Sequence, residues 1–150
     1  MERNARLQAS LRRWLIGAGA FNLVAATPLA VPGIAERYLS SIVRFNATLG
    51  LPGTRPVPPG DGWMLIVNGA GLALAMTGAI LLHASGDPRR RLGVPVANGI
   101  GRLLFAILIL YYLATWKLPA ILVLLAAIDG VLGVVLLRGA RRVGSTADPR

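Results

Sequence analysis

The feature that most constrains this chain is a pair of opposite charges inside two neighbouring apolar segments. Arg102 lies in a segment that begins near Val96, and Asp129 lies in the next one, after the short connector at Lys117 and Leu118. A charge near the centre of a bilayer costs roughly 2.5–3.5 kcal/mol on insertion scales. The two side chains are therefore expected to face and neutralise each other.

The composition indicates a membrane domain. Hydrophobic residues make up 55% of the chain and charged residues only 15%, too few to cover a soluble surface, and the mean hydropathy is +0.62. The net charge of +10 does not indicate a nucleic-acid partner, because the arginines lie at the ends of apolar segments and not on one face. The absence of cysteine excludes disulfides, thiol redox chemistry and thiolate metal sites. No cofactor is predicted.

Four apolar segments approach the length of roughly 20 residues that a helix needs to cross a bilayer. The predicted membrane helices cover residues 14–31, 63–84, 96–116 and 118–137. Between the first two, apolar residues recur every three to four positions, which is typical of an amphipathic helix on a membrane surface. This external segment, residues 34–62, ends in a Pro-rich loop, and residues 144–150 are predicted to form a disordered tail. The predicted fold class is an all-α integral membrane protein, a four-transmembrane-helix bundle with an amphipathic interfacial helix in the first external loop.

The distribution of basic residues predicts the orientation. Eleven of the 16 Lys and Arg residues lie before the first segment, between the second and third, or after the fourth. Since positive residues stay on the cytoplasmic side, both termini are predicted to be cytoplasmic, in a bacterial inner membrane. The basic start also resembles a signal peptide, but the apolar run that follows is longer than a typical signal core and favours a retained helix.

Polar side chains from all four segments fall in one layer. At a rise of about 1.5 Å per residue, the residues that lie ~10–13 Å from the predicted cytoplasmic ends are Asn22, Thr77, Arg102 and Asp129. Asn98 lies one helical turn before Arg102 on the same face. The candidate polar cluster consists of Asn22, Thr77, Asn98, Arg102 and Asp129. One interpretation is a structural network that fixes helix register. The other is a polar pocket that orients the head of an amphiphile or relays a proton.

Small residues at four-residue spacing indicate close helix contacts. The two rows are Ala18, Asn22 and Ala26 in the first segment, and Gly71, Ala75 and Ala79 in the second. A further hypothesis is that the two halves of the chain are related as a parallel repeat. The sequence evidence for this is the dipeptide Asn68-Gly69 in the second segment and Asp129-Gly130 in the fourth, each followed by a basic end.

The sequence contains no recognisable catalytic set. It has one histidine, no pair of carboxylates within the membrane segments and no phosphate-binding loop, so enzymatic activity is not indicated. The candidate contacts with a partner or the membrane surface lie on the amphipathic helix. They are Tyr38, Ile42, Phe45 and Leu49.

Three segments carry a resemblance to a known group of proteins. Residues 19–25, 99–105 and 118–130 resemble a group of small, uncharacterised four-helix bacterial membrane proteins that is loosely similar to the DoxX-like group. The resemblance covers the four apolar segments but not the external loop. It implies an accessory role beside membrane oxidoreductases or other complexes, and no catalytic residues carry over.

These observations lead to two functional hypotheses. The first is a non-catalytic accessory or assembly subunit of a larger membrane complex, with membrane lipids and another membrane protein or a second copy of the chain as partners. The alternative is a binder or carrier of a lipid, quinone or other hydrophobic small molecule. In that case Arg102 and Asp129 would anchor the polar part of the ligand.

Overall fold

The computed structural model describes residues 2–53, 61–115 and 118–145. Five helices follow one another in these ranges: α1 (Glu2–Ala30), α2 (Ile34–Thr48), α3 (Asp61–Ala84), α4 (Gly93–Thr115) and α5 (Leu122–Ser145). Most of the predicted Pro-rich loop (residues 54–60), the aromatic and basic residues at 116 and 117, and residues 146–150 of the predicted tail lie outside the described residues.

The helices have the length and surface of a membrane protein. Three of them, α3, α4 and α5, are long and apolar enough to cross a membrane, and a fourth span is counted only if α1 and α2 are taken together. Large apolar side chains are exposed around the helices, among them Val24, Leu65 and Leu104 at 77%, 73% and 63%. Soluble proteins rarely expose continuous apolar surface of this kind. The chain is therefore an all-helical protein whose composition and surface indicate a membrane location.

The break between α1 and α2 redirects the chain sharply. The axes of the two helices differ by 111°. α1 continues through Pro28 and ends at Ala30, one residue before the predicted end of the first segment. The turn is made at Gly33, which has a φ of 77°, a left-handed conformation that glycine adopts without a steric penalty.

At the arginine-rich end of the bundle, the helices extend beyond the predicted segments. α1 begins at Glu2 and α5 continues to Ser145, so the predicted tail at 144–150 begins inside a helix. Leu11, Leu15 and Val143 are buried there in one hydrophobic cluster. Leu11 and Leu15 are four residues apart and share a helix face, which lets the basic first turns of α1 pack against α5.

The opposite end of the bundle is held by Asn46, a fully buried residue of α2. Its amide nitrogen lies 3.0, 3.3 and 2.9 Å from the carbonyl oxygens of Leu51, Pro52 and Gly53. Its amide oxygen accepts a hydrogen bond of 2.9 Å from the backbone N–H of Ile121. The backbone N–H of Ala120 donates to the carbonyl oxygen of Pro52 at 3.0 Å. Residues 118–121 are thus held against the end of α2, and α5 begins at Leu122 and not at the predicted position 118.

The four long helices form two closely packed pairs, α1 with α3 and α4 with α5. In each pair the backbones cross at two glycines. A Cβ atom on Gly78 would lie 2.8 Å from the carbonyl oxygen of Gly19, and one on Gly133 would lie 2.9 Å from that of Gly99. α1 also packs on α5, whereas α3 and α4 barely touch. The pairs therefore join along α1 and α5 and leave a gap between α3 and α4.

The predicted small-residue row of α3 is only partly used. A Cβ on Gly71 would lie 2.5 Å from the backbone nitrogen of Ala30, so Gly71 does allow close contact with α1. Ala79 is exposed, and its neighbour Gly78 makes the close contact in its place. Gly71 and Gly78 are seven residues, or about two helical turns, apart, so both lie on the face of α3 that contacts α1. Ala79, eight residues after Gly71, lies off this face.

We expect Gly78→Ala to destabilise the α1–α3 pair, because the added methyl group would meet the backbone of α1 at 2.8 Å. Overpacking of this kind typically costs about 1–3 kcal/mol of stability. We therefore expect a lower unfolding temperature for the variant in detergent. The matched control is Gly69→Ala in the same helix, where nothing lies within 4 Å of the new Cβ. Equal unfolding temperatures for the two variants would show that the helices do not cross at Gly78.

Candidate functional site

Arg102 is the centre of a buried polar network. Its side chain is 5% exposed and lies on α4. Its Nη1 donates to Asp129 Oδ1 of α5, and its Nη2 donates to Asn22 Oδ1 of α1. Nε donates to Asn98 Oδ1 at 2.9 Å, one turn earlier on α4. One guanidinium group therefore connects three helices.

Two further groups complete the surroundings of the arginine. Nη2 also lies 3.3 Å from the carbonyl oxygen of Ala18, so backbone as well as side chains accept from it. The guanidinium carbon lies 5.9 Å from the centroid of the Phe21 ring, within the range of a cation–π contact. Phe21 was not predicted from the sequence as a site residue. Its place next to Asn22 in the sequence does not show that its ring contacts Arg102, because the direction of the ring depends on how α1 is rotated in the bundle.

This network borders a cavity of about 730 Å³ between the two helix pairs. The residues that line it come from all five helices, and they include the complete predicted polar cluster. Its members are Asn22, Thr77, Asn98, Arg102 and Asp129. Thr77 lines the cavity but takes no recorded part in the arginine network, since its hydroxyl donates to the carbonyl oxygen of Ala73 at 2.8 Å.

The remaining walls of the cavity are largely apolar. Ala26, Leu29, Phe105 and Leu125 continue the lining beyond the polar layer, on the side of α2. α3 and α4 make few contacts with each other, although residues of both helices line the cavity. The result is a mainly apolar chamber with the arginine network at one level of its wall.

The predicted contact residues of α2 divide into two groups. Tyr38 and Ile42 line the cavity and are half-buried. Phe45 and Leu49 are exposed, at 57% and 51%. The amphipathic helix therefore forms one wall of the cavity with part of its apolar face and leaves the other part uncovered.

The orientation of the amide groups follows from the chemistry of arginine. A guanidinium group only donates hydrogen bonds, so the amide oxygens of Asn22 and Asn98 face Arg102 and their NH₂ groups point away. Within the described residues, no hydrogen bond is found to these two NH₂ groups or to Asp129 Oδ2. Yet no fully shielded side-chain nitrogen or oxygen in the same part of the chain lacks a partner. These three groups are therefore not fully shielded, and the residues that carry them line the cavity.

The polar network offers hydrogen-bonding groups to the cavity. Arg102 and Asp129 neutralise each other, and the groups left over are two amide donors and one carboxylate acceptor. Among the described residues, no three His, Asp or Glu side chains are grouped so that they could hold a metal ion. The arrangement can orient a small polar group by hydrogen bonds while apolar walls surround the rest of a molecule.

Comparisons with protein-family models, curated protein sequences and solved structures find no match. The resemblance to the DoxX-like group stays a prediction from the sequence.

We expect the charged pair to be strongly coupled. Removing one partner of a buried ion pair costs about 3–5 kcal/mol, whereas replacing both by apolar residues of similar volume is often neutral. Asp129→Leu alone should therefore destabilise the protein severely, and Asp129→Leu combined with Arg102→Met should restore most of the loss. The measurement is the free energy of unfolding during titration of detergent micelles with SDS.

The exposed ion pair of Arg90 and Asp87 provides the control. Arg90 Nε lies 3.4 Å from Asp87 Oδ2. Asp87→Leu and the double variant with Arg90→Met should both stay within about 1 kcal/mol of the parent protein. If the two changes at Arg102 and Asp129 were simply additive, the proposed coupling between them would be wrong.

Proposed function

We propose that the chain is a four-helix membrane protein of a bacterial inner membrane, with α1, α3, α4 and α5 as the spans and α2 at the outer surface. The close packing of α1 against α3 and α5 supports a place for α1 within the bundle. The concentration of arginines near both ends of the chain and between α3 and α4 supports cytoplasmic termini.

Reporter fusions test this orientation. Green fluorescent protein, which does not mature when exported unfolded, should fluoresce at either terminus. Alkaline phosphatase, which requires the periplasm, should be active when inserted between Gly53 and Asp61. A fluorescent terminus together with an inactive insertion would contradict the proposed path of α1, because that segment would then not cross the membrane.

We propose further that the protein binds one amphiphilic molecule in its central cavity. The observation that carries this proposal is the coincidence of a cavity of about 730 Å³ with a buried polar network at one level of its wall. Cavities of roughly 300–1,000 Å³ are typical of small-molecule sites with apolar walls and a few polar groups. A polar network that only fixed the packing of the helices would not need a cavity beside it.

The gap between α3 and α4 supports the same proposal. These helices make few contacts, although residues of both line the cavity, among them Leu74 and Phe105. In a bilayer, a ligand with an apolar chain could enter from the lipid phase through this gap without crossing water. The binder or carrier hypothesis is therefore better supported by the geometry than the accessory-subunit hypothesis.

Mild purification followed by lipid extraction and mass spectrometry tests the proposal. We expect the parent protein to retain an amphiphile at close to one molecule per chain. The double variant Arg102→Met with Asp129→Leu should fold but lose this molecule, because the polar anchor is removed. The matched double variant of the exposed pair, Arg90→Met with Asp87→Leu, should retain it. Equal retention by both double variants would refute binding at the polar layer.

An accessory role is the second candidate, and the uncovered part of α2 favours it. Ile34, Phe45 and Leu49 are exposed at 49%, 57% and 51% and could contact a larger membrane partner. The same mass-spectrometric experiment, extended to co-purified proteins, distinguishes the candidates. Phe45→Ser with Leu49→Ser should release a partner but keep the amphiphile if this surface docks a protein.

A further inference from the structure

We infer that the cavity selects an amphiphile whose head is an uncharged hydroxyl group, such as a long-chain alcohol, an isoprenoid alcohol or a diacylglycerol. This inference rests on the proposed binding function and specifies the class of ligand. It follows from two properties of the polar layer, its charge and its unused hydrogen-bonding groups.

The charge of the site argues against an anionic head. Among the described residues that line the cavity, Arg102 is the only Lys or Arg, and Asp129 already neutralises it through a direct ion pair. A phosphate bound beside them would bring a second anion close to the carboxylate, with no additional cation in the described part of the wall. Burying an unpaired charge is strongly unfavourable, so a phosphate ester should bind weakly.

The unused hydrogen-bonding groups argue for a hydroxyl. Asp129 Oδ2 needs a donor, and the NH₂ groups of Asn22 and Asn98 need an acceptor. A hydroxyl group is one donor and two acceptor lone pairs, so it matches both kinds of unused group. An ether or a quinone carbonyl can only accept, and it would leave the carboxylate oxygen without a partner in a dry environment.

The environment strengthens this discrimination. Asn22, Arg102 and Asp129 are 7%, 5% and 4% exposed, so little water is present to complete the hydrogen bonds that a wrong ligand leaves unmade. Sites built to hydrogen-bond a hydroxyl reject analogues that lack it much more strongly than apolar pockets reject a change of size. The polar layer is therefore expected to discriminate between head groups of the ligand, while the apolar walls tolerate different acyl or alkyl chains.

Three probes with the same C16 chain test the inference on the unaltered protein. They are 1-hexadecanol, hexadecyl methyl ether and hexadecyl phosphate, each added to the delipidated full-length chain and measured by native mass spectrometry. We expect hexadecanol to bind at least about tenfold more tightly than the other two. Geranylgeraniol and dioleoylglycerol, presented in the same way, then distinguish an isoprenoid source of the hydroxyl from a glycerolipid source.

A charge variant provides an independent test. Asp129→Asn removes the carboxylate that neutralises Arg102, so the preference should reverse and hexadecyl phosphate should bind more tightly than hexadecanol. Asp87→Asn is the same chemical change at a residue outside the cavity lining and should leave the parent preference unchanged. Because Asp129→Asn is also expected to lower stability, its folding is checked first by unfolding temperature; the comparison on the unaltered protein needs no variant.

The outcomes separate the inference from the proposal on which it rests. If the ether or the phosphate binds the unaltered protein as tightly as the alcohol, the hydroxyl inference is wrong while ligand binding stands. If none of the C16 probes, geranylgeraniol or dioleoylglycerol binds, the proposed function fails and the inference fails with it. Preference for the alcohol in the parent protein, reversed only in Asp129→Asn, supports both.

Discussion

The structure depends on the need to satisfy one guanidinium group away from water. Arg102 has five N–H donors, and its recorded partners come from three helices: Asp129 on α5, Asn98 on α4, and Asn22 with the backbone of Ala18 on α1. In a bilayer these groups cannot turn to solvent instead. The relative rotation of α1, α4 and α5 is thereby fixed, and the cavity is the space that this arrangement leaves beside the network.

Much of this arrangement could be predicted from the sequence, because the signals are local or follow from helix geometry. The positions of the long apolar helices, the amphipathic α2 and the pairing of Arg102 with Asp129 depend on periodicity and on the high cost of an isolated charge. The cavity could not be predicted in this way. Its volume depends on α3 and α4 standing apart, and on Tyr38 and Ile42 turning inward while Phe45 turns out. These are properties of packing between distant segments.

The two close helix pairs are more alike than their sequences indicate. Asn22 follows Gly19 by three residues, as Arg102 follows Gly99, and both glycines meet a glycine of the partner helix. The equivalent positions in α3 and α5 are then Gly78 and Gly133, and not the dipeptides at 68–69 and 129–130 from which the repeat was predicted. A parallel repeat would place Asn22 and Arg102 at corresponding sites, and the observed hydrogen bond between them lies where two such halves would meet.

The anchoring of Asn46 has a consequence for chemical modification. Asn46, Ala47 and Thr48 form the tripeptide that eukaryotic oligosaccharyltransferases recognise. In the folded chain, however, the Asn46 side chain is fully buried, and its nitrogen bonds to the carbonyl oxygens of the loop that follows α2. A glycan on this nitrogen would be incompatible with the docked position of α2. Production in a glycosylating host would therefore give two populations. Molecules that fold before the transferase acts stay unmodified, whereas glycosylated molecules cannot dock α2 at this end of the bundle.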